Sequence, residues 1–257
     1  VVLSEENAVV DINYDNFFKK IRSRDFAAVI VTSPSYEGYI LDLEKIYEEC
    51  QKVNVPLVVD LAHGSHFILN DKWCNKFDIA ITSFHKNLSA LTPSACVLIN
   101  NEKYSPEIKR NMAIFQTSSP SYITIQSIDD MVDNFPKFSD LYLNLEKELE
   151  DLYSLKLNHL KLVDHPKKDR SKILLSTINT DLNGSTLQNL LKEEKIEIEM
   201  AYPSYALLIA TIFDKKYGFD RLKDALIKID QTLSYKENRN NLSYQIPTSK
   251  LNITDAL

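Results

Sequence analysis

Glycine is scarce. The four in 257 residues, Gly38, Gly64, Gly184 and Gly218, are too few and too scattered for a glycine-rich dinucleotide fingerprint or a P-loop. Cysteine is scarcer still: Cys50, Cys74 and Cys96 are odd in number and form no C-x-x-C pair, so reduced, buried thiols are expected rather than a disulfide framework or a structural zinc. No apolar run approaches the roughly eighteen residues of a membrane span. The first eleven residues, VVLSEENAVVD, lack the basic flank and apolar stretch of a signal peptide, which leaves a cytoplasmic location as the default expectation. A basic excess is also missing. The formal net charge is −6 with lysine and arginine dispersed, which argues against nucleic acid as a partner. The one basic cluster, Lys167, Lys168 and Arg170 around Asp169, reads as a solvated loop. The first residue is Val1 rather than Met, from which a piece of a longer protein is expected.

What is present is core-forming material. With 44% hydrophobic and 26% charged residues, the chain has the balance of one large or two modest folded domains. Its first half alternates apolar runs with amphipathic stretches, as in a mostly parallel sheet covered by helices. Strands are expected at 26–32 (FAAVIVT, a buried strand), 56–60 (PLVVD), 77–82 (FDIAIT) and 96–100 (CVLIN). Helices are expected at 41–53, where Leu43, Ile46, Tyr47 and Cys50 share a face, and over much of 122–155. Past residues 166–170 the pattern becomes strand–helix–strand–strand–helix, at 172–177, 185–194, 196–201, 205–211 and 219–232. Asn183-Gly184-Ser185 supplies a turn and an N-cap to the first of these helices. The reading is an α/β domain over 1–160 and a smaller α+β domain over 161–257. The latter ends in a polar tail with Asn238, Asn240, Asn241 and a short edge segment at 244–247. Tyr14 to Phe18 and Tyr202 to Tyr205 read as aromatic packing, and no repeat or low-complexity tract is found.

Two polar clusters stand at the carboxyl ends of expected strands, where open α/β sheets bind their ligands. One is VVDLAHGSHF at 58–67, with Asp60 and His63; the other is ITSFHKNLSALTPSA at 81–95, with Ser83, His85 and Lys86. Taken singly, each residue has a structural role to hand: Asp60 as a turn or cap, the histidines as satisfied side chains, Lys86 as a surface lysine. Together they meet the needs of carbanion chemistry on an amino acid. Pyridoxal phosphate (PLP) serves as an electron sink when a lysine holds its aldehyde and a carboxylate keeps its ring nitrogen protonated, and Lys86 and Asp60 are those two groups. Ser83 and His85 stand beside the lysine as phosphate donors. No metal site is expected, because Asp60, His63 and His66 lack the helical spacing of H-E-x-x-H. Cys74 beside Trp73 could act as a nucleophile with His63 or His66 as base, but without a family signature it reads as a structural thiol.

The segments TSPSYEG (Thr32 to Gly38), VDLAHG (Val59 to Gly64) and SFHK (Ser83 to Lys86), in this order and spacing, resemble the major domain of the Orn/Lys/Arg decarboxylases. The likeness extends more loosely through 116–122 and through GSTLQNLLKEEKIEIEM at 184–200. It implies the aspartate aminotransferase-like major domain of fold-type-I PLP enzymes. Lys86 would hold PLP as a Schiff base, Asp60 would pair with the pyridinium nitrogen, Ala62 would pack on the ring, and His63 would lie beside it. Ser83 and His85 would contact the phosphate, while Ser118 or Ser119 would serve the neighbouring subunit of a homodimer. The implied reaction is decarboxylation of lysine, arginine or ornithine to a polyamine-type amine. Glu197 and Glu199 could receive the distal cation if they reach the site, with a solvated strand face the expected role of at least one of them. Leu61, Ile81 and Pro93 depart from the family pattern, and nothing in residues 1–25 resembles the family's N-terminal part. About half of a complete site is therefore expected, and the rival readings are another fold-type-I activity, such as an aminotransferase or lyase, or a non-catalytic relative.

Overall fold

The structure is a computed structural model that describes residues 1–23, 25–70 and 72–236; the expected edge segment at 244–247 and the tail asparagines lie outside these residues. Strands β1 (Val2–Leu3) and β2 (Val9–Asp11) pair antiparallel ahead of helix α1 (Tyr14–Ser23). Then come β3 (Val29–Thr32), helix α2 (Leu43–Lys52), β4 (Leu57–Asp60), β5 (Ile79–Ser83), the single-turn helix α3 (Phe84–Asn87) and β6 (Ala95–Ile99). The sheet runs β3-β4-β5-β6. Its first three strands are parallel, and β6 is antiparallel to β5. The connection from β5 through α3 is shorter than the dozen or so residues of a crossover, so the chain must return antiparallel.

Local chemistry explains these pieces. Asp42 caps α2 by accepting the Lys45 N–H at 3.2 Å, and Leu43, Ile46 and Cys50 turn one face of the helix onto Val31, Leu57 and Val59. Tyr14, Phe17 and Phe18 of α1 pack against the same core, as expected for that aromatic segment. The run at 26–32 departs from expectation. Val29 and Val31 are buried, but Ile30 between them is 72% exposed, so β3 buries one face only. Parallel sheets ordinarily have both faces covered. Among the described residues, nothing covers Ile30. Cys50 is buried as expected, whereas Cys74 and Cys96 are half-buried.

Helix α4 (Ser105–Phe115), which the sequence pattern did not reveal, leads to helix α5 (Tyr122–Tyr153), which continues through Pro136. A second sheet follows, from β7 (Lys161–Leu162), β8 (Lys172–Ser176), β9 (Met200–Ala201) and β10 (Tyr205–Ile209), with helix α6 (Gly184–Glu193) between β8 and β9 and helix α7 (Lys216–Asp230) after β10. The order is β7-β8-β10-β9, antiparallel throughout. Asn183 caps α6 through the Thr186 N–H at 2.8 Å, as expected. The strand expected at 196–201 shrinks to two residues. Lys195 takes φ +59° and the Ile196 N–H returns to Leu191 O, so the chain is still leaving the helix where the apolar pattern suggested a strand.

The second sheet is a middle layer. Ile173 and Leu175 face α5, α6 and α7, whereas Leu174 and Leu207 face Ala8 and Tyr39. The segment at 167–170, expected as a solvated loop, is instead the junction between the two sheets: Lys168 and Asp169 are only 2% and 5% exposed. The Asp169 N–H donates to Gly38 O and the Ile40 N–H to Lys167 O, both at 2.8 Å. Asp169 Oδ2 lies 3.0 Å from His66 Nε2 in the short 3-10 turn Ser65–Leu69. Burial would raise the Asp169 carboxyl, but the neighbouring His66, with Lys172 and Ser171, holds it well below the carboxylate range.

Two predictions follow from these buried carboxylates. Leaving a buried donor without its acceptor costs about 1–3 kcal/mol, so Asp169→Ala, which strips the acceptor from the Ser171 N–H and from the facing His66 nitrogen, is expected to lower the denaturant-derived stability by about that amount, and an unchanged stability would contradict the junction's role. Asp230, at the end of α7, accepts the N–H groups of Asn158, His159 and Leu160 at 2.7–2.9 Å. Burial acts to raise its pKa, but these three donors lower it on balance. A depressed carboxyl contributes stability above its unfolded pKa of about 3.9 that is lost as pH falls through the folded value. Asp230→Asn should therefore be less stable than the wild type near neutrality, with the gap narrowing as urea midpoints are followed downward through pH 4.

Candidate active site

The parallel register places Asp60 beside Thr32 on one side and Ile81 on the other, so the ends of β3, β4 and β5 open at one edge of the sheet. Asp60 is half-buried there, and its Oδ1 accepts the Ala62 N–H at 3.0 Å. Its other oxygen has no hydrogen bond among the described residues. Ala62 is half-buried, while Leu61 turns into the core.

Helix α3 brings Lys86 to this edge. Its side chain is exposed, and Nζ lies 3.1 Å from His63 Nε2. The next residue anchors the turn: Asn87 Nδ2 donates to His63 O at 3.0 Å and meets His66 Nδ1 at 2.6 Å. With an amide donor on Nδ1, His66 carries its hydrogen on Nε2, facing Asp169. His85 is tied by Nδ1 to the backbone of Ser94, at 2.8 Å from its carbonyl oxygen, which leaves Nε2 as its outward nitrogen. Ser83 is buried at the end of β5, opposite Ala95, and its side chain does not cap α3.

Two groups reach His63 from elsewhere in the sequence. Lys172, fully buried at the start of β8, places Nζ 3.3 Å from His63 Nδ1. Tyr36, in the loop after β3, sets its ring edge-on to His63 with centroids 5.0 Å apart and hydrogen-bonds Glu199 through its hydroxyl. Burial, with Lys172 and Lys86 as neighbouring cations, pushes His63 down to about 4 against the pull of Asp60. Burial likewise pushes Lys172 down to about 8, although Asp169 and Glu199 favour its charge. The Glu199 hydrogen bond, then burial, pushes the Tyr36 phenol up to about 12.

Asp60, Ala62, His63 and Lys86 thus gather at one edge, with His85 on the helix that carries Lys86 and Ser83 at the end of the strand before it. Ser118 and Ser119 do not join them; both lie exposed between α4 and α5, and no hydrogen bond among the described residues links them to Lys86. Of the two candidate glutamates, Glu199 reaches the site through Tyr36, whereas Glu197 is exposed and 3.7 Å from Lys192. Sequence reasoning quoted Tyr36 within its motif without a role and missed Lys172, Asn87 and the His66–Asp169 pair. Strand parity offered a signal for Lys172, since it shares a face with the inward Leu174.

Comparison with known proteins follows the same outline. The family model described as "Orn/Lys/Arg decarboxylase, major domain" matches residues 14–140. An arginine decarboxylase of Bacillus subtilis is 26% identical over 231 residues, covering 83% of this chain and 47% of that protein. An uncharacterized protein of the same organism, YaaO, is 29% identical over 75% of this chain and 43% of its own length. The chain spans about half the length of the curated relatives it matches. Among solved structures, the constitutive lysine decarboxylase of E. coli superposes with a TM-score of 0.68 at 15% identity, covering 90% of this chain and 42% of that one. The lysine decarboxylase of Francisella novicida gives 0.63 at 18% identity over 84% and 38%. The shared architecture is the fold-type-I PLP-enzyme fold, with its mostly parallel sheet. With its three motifs gathered around Asp60, His63 and Lys86, the chain is similar to the major domain of the Orn/Lys/Arg decarboxylases over residues 14–140.

Proposed function

We propose that this chain carries the cofactor-lysine part of a PLP-dependent decarboxylase of a basic amino acid: lysine, arginine or ornithine. The observation behind this reading is the placement of an exposed lysine, Lys86, against His63 at 3.1 Å, with the Asp60 carboxylate on the adjoining strand end. The donor set fits PLP. Asp60 keeps an oxygen with no hydrogen bond among the described residues, Ala62 ends at a methyl group, and His85 keeps an outward nitrogen.

In this reading Lys86 holds the cofactor through its amine and Asp60 holds a proton at the ring nitrogen. Ala62 and His63 orient the ring, while Ser83 and His85 bind the phosphate. PLP, when bound, supplies the sink for the electron pair left by the departing carboxylate. Glu199, fixed by the Tyr36 hydroxyl, receives the distal cation of the substrate. The product is a polyamine-type amine. A cytoplasmic homodimer, in which Ser118 or Ser119 completes the neighbouring site, belongs to the same proposal.

The test is a PLP titration followed by absorbance. Wild type is expected to develop a visible Schiff-base band that borohydride discharges, and Lys86→Ala is expected to show none. Asp60→Ala should bind PLP at least about tenfold more weakly, for loss of a charge-assisted hydrogen bond of about 1.5–3 kcal/mol. Absence of the band in folded wild type would overturn the reading for this chain.

A further inference from the structure

Outside the Lys86 site, the basic cluster at 167–170 borders a cleft of about 360 Å³ lined by Lys72, Asp164, His165, Pro166, Lys168 and Arg170. Lys168 is fully buried, yet no carboxylate lies within ion-pair distance of its ammonium among the described residues. Its Nζ donates instead to the backbone carbonyls of Lys172 and, at 3.4 Å, Asp169. Burial pushes this ammonium down to about 8, with Asp169 and Asp164 favouring its charge, so it stays protonated at neutral pH. Buried lysines are ordinarily paired with acids, and here the wall of the cleft holds a charge without one.

The other groups in the wall are donors too. Lys72 is half-buried and makes no ion pair among the described residues. The Lys167 N–H donates to His165 Nδ1 at 3.1 Å; a backbone amide can only donate, so the neutral ring carries its hydrogen on Nε2, which has no hydrogen bond among the described residues. Arg170 gives Nε and Nη2 to Asp164 Oδ2, at 3.1 and 2.7 Å, and keeps Nη1. Asp164 is the one carboxylate in the wall, and both its oxygens are occupied, since Oδ1 accepts the His165 N–H at 3.0 Å. Three cations against one carboxylate leave two positive charges over.

We propose that this cleft binds a phosphate dianion, free or as a small phosphate monoester, with Lys72, His165 and Arg170 as its donors and Lys168 as a further charge in the wall. Two negative charges balance the cleft, and phosphate oxygens accept from ammonium, guanidinium and imidazole N–H groups alike. Asp169 stands between Lys168 and Arg170 and faces His66 with its carboxylate. The anion therefore fastens the same loop that anchors Asn87 and, through it, Lys86. None of this depends on Lys86 holding a cofactor.

The experiment titrates methyl phosphate, and separately inorganic phosphate, into the 15N-labelled chain without PLP at neutral pH, where a phosphate monoester is mostly dianionic. Ionic strength is held constant with chloride, and backbone amide shifts are followed. Saturable shifts are expected at residues 164–171, with binding weakened at least about tenfold in Lys72→Gln and in His165→Ala for loss of a charged or hydrogen-bonding donor. Both side chains stand at the accessible side of the cleft, and the same spectra show that each variant is folded. Tighter binding of methyl phosphate supports a monoester as the occupant, and equal or tighter binding of inorganic phosphate supports the free anion. Shifts that chloride alone reproduces, shifts confined to Ser83–Asn87, or saturation left unchanged by both substitutions would overturn the proposal.

Discussion

The buried chain Asp169–His66–Asn87 is the constraint on which the site depends. A polar network in a low-dielectric interior is stabilising only when its members are held in register, and here the members come from three different segments. Asp169 belongs to the junction before β8, His66 to the turn after β4, and Asn87 to the end of α3. Moving any one would strand the others. Because Asn87 also binds His63 O and follows Lys86 directly, the same chain sets both the histidine and the lysine of the site. The second sheet therefore helps hold the site together as well as delivering Lys172 and Glu199 to it.

Electrostatically, the site is a neutral ring between cations. His63 stands between the Nζ atoms of Lys86 and Lys172, with Asp60 nearby as the opposing charge. Burial keeps the ring uncharged, which avoids three positive groups in one small space. The consequence is a division of roles. The exposed lysine faces the open strand ends, while the buried one is fenced by Gly38 and the Asp169 loop.

Much of this was legible in the sequence wherever a signal is local. A strand ending in Asp60, a strand running into Ser83 to Lys86, the Asn183 cap and the helix at 122–153 all rest on neighbours in the chain. What failed needed partners far away. Lys168 and Asp169 look like a charged loop until the His66 turn is placed against them, and Ile196 and Ile198 look like a strand until the helix exit at Lys195 is seen. The exposure of Ile30 was likewise hidden, because an apolar run does not say which layers cover it. Lys172 and His63 are separated by 109 positions, a contact that no spacing rule joins.

The central claim is that, of the lysines at this site, Lys86 and not Lys172 carries the cofactor. Peptide mapping by mass spectrometry, after PLP loading and borohydride reduction of the folded protein, tests it most directly. The account predicts the pyridoxyl mass on the peptide containing Lys86, with the Lys172 peptide unmodified. Label on Lys172, or label spread over surface lysines with none favoured, would contradict it.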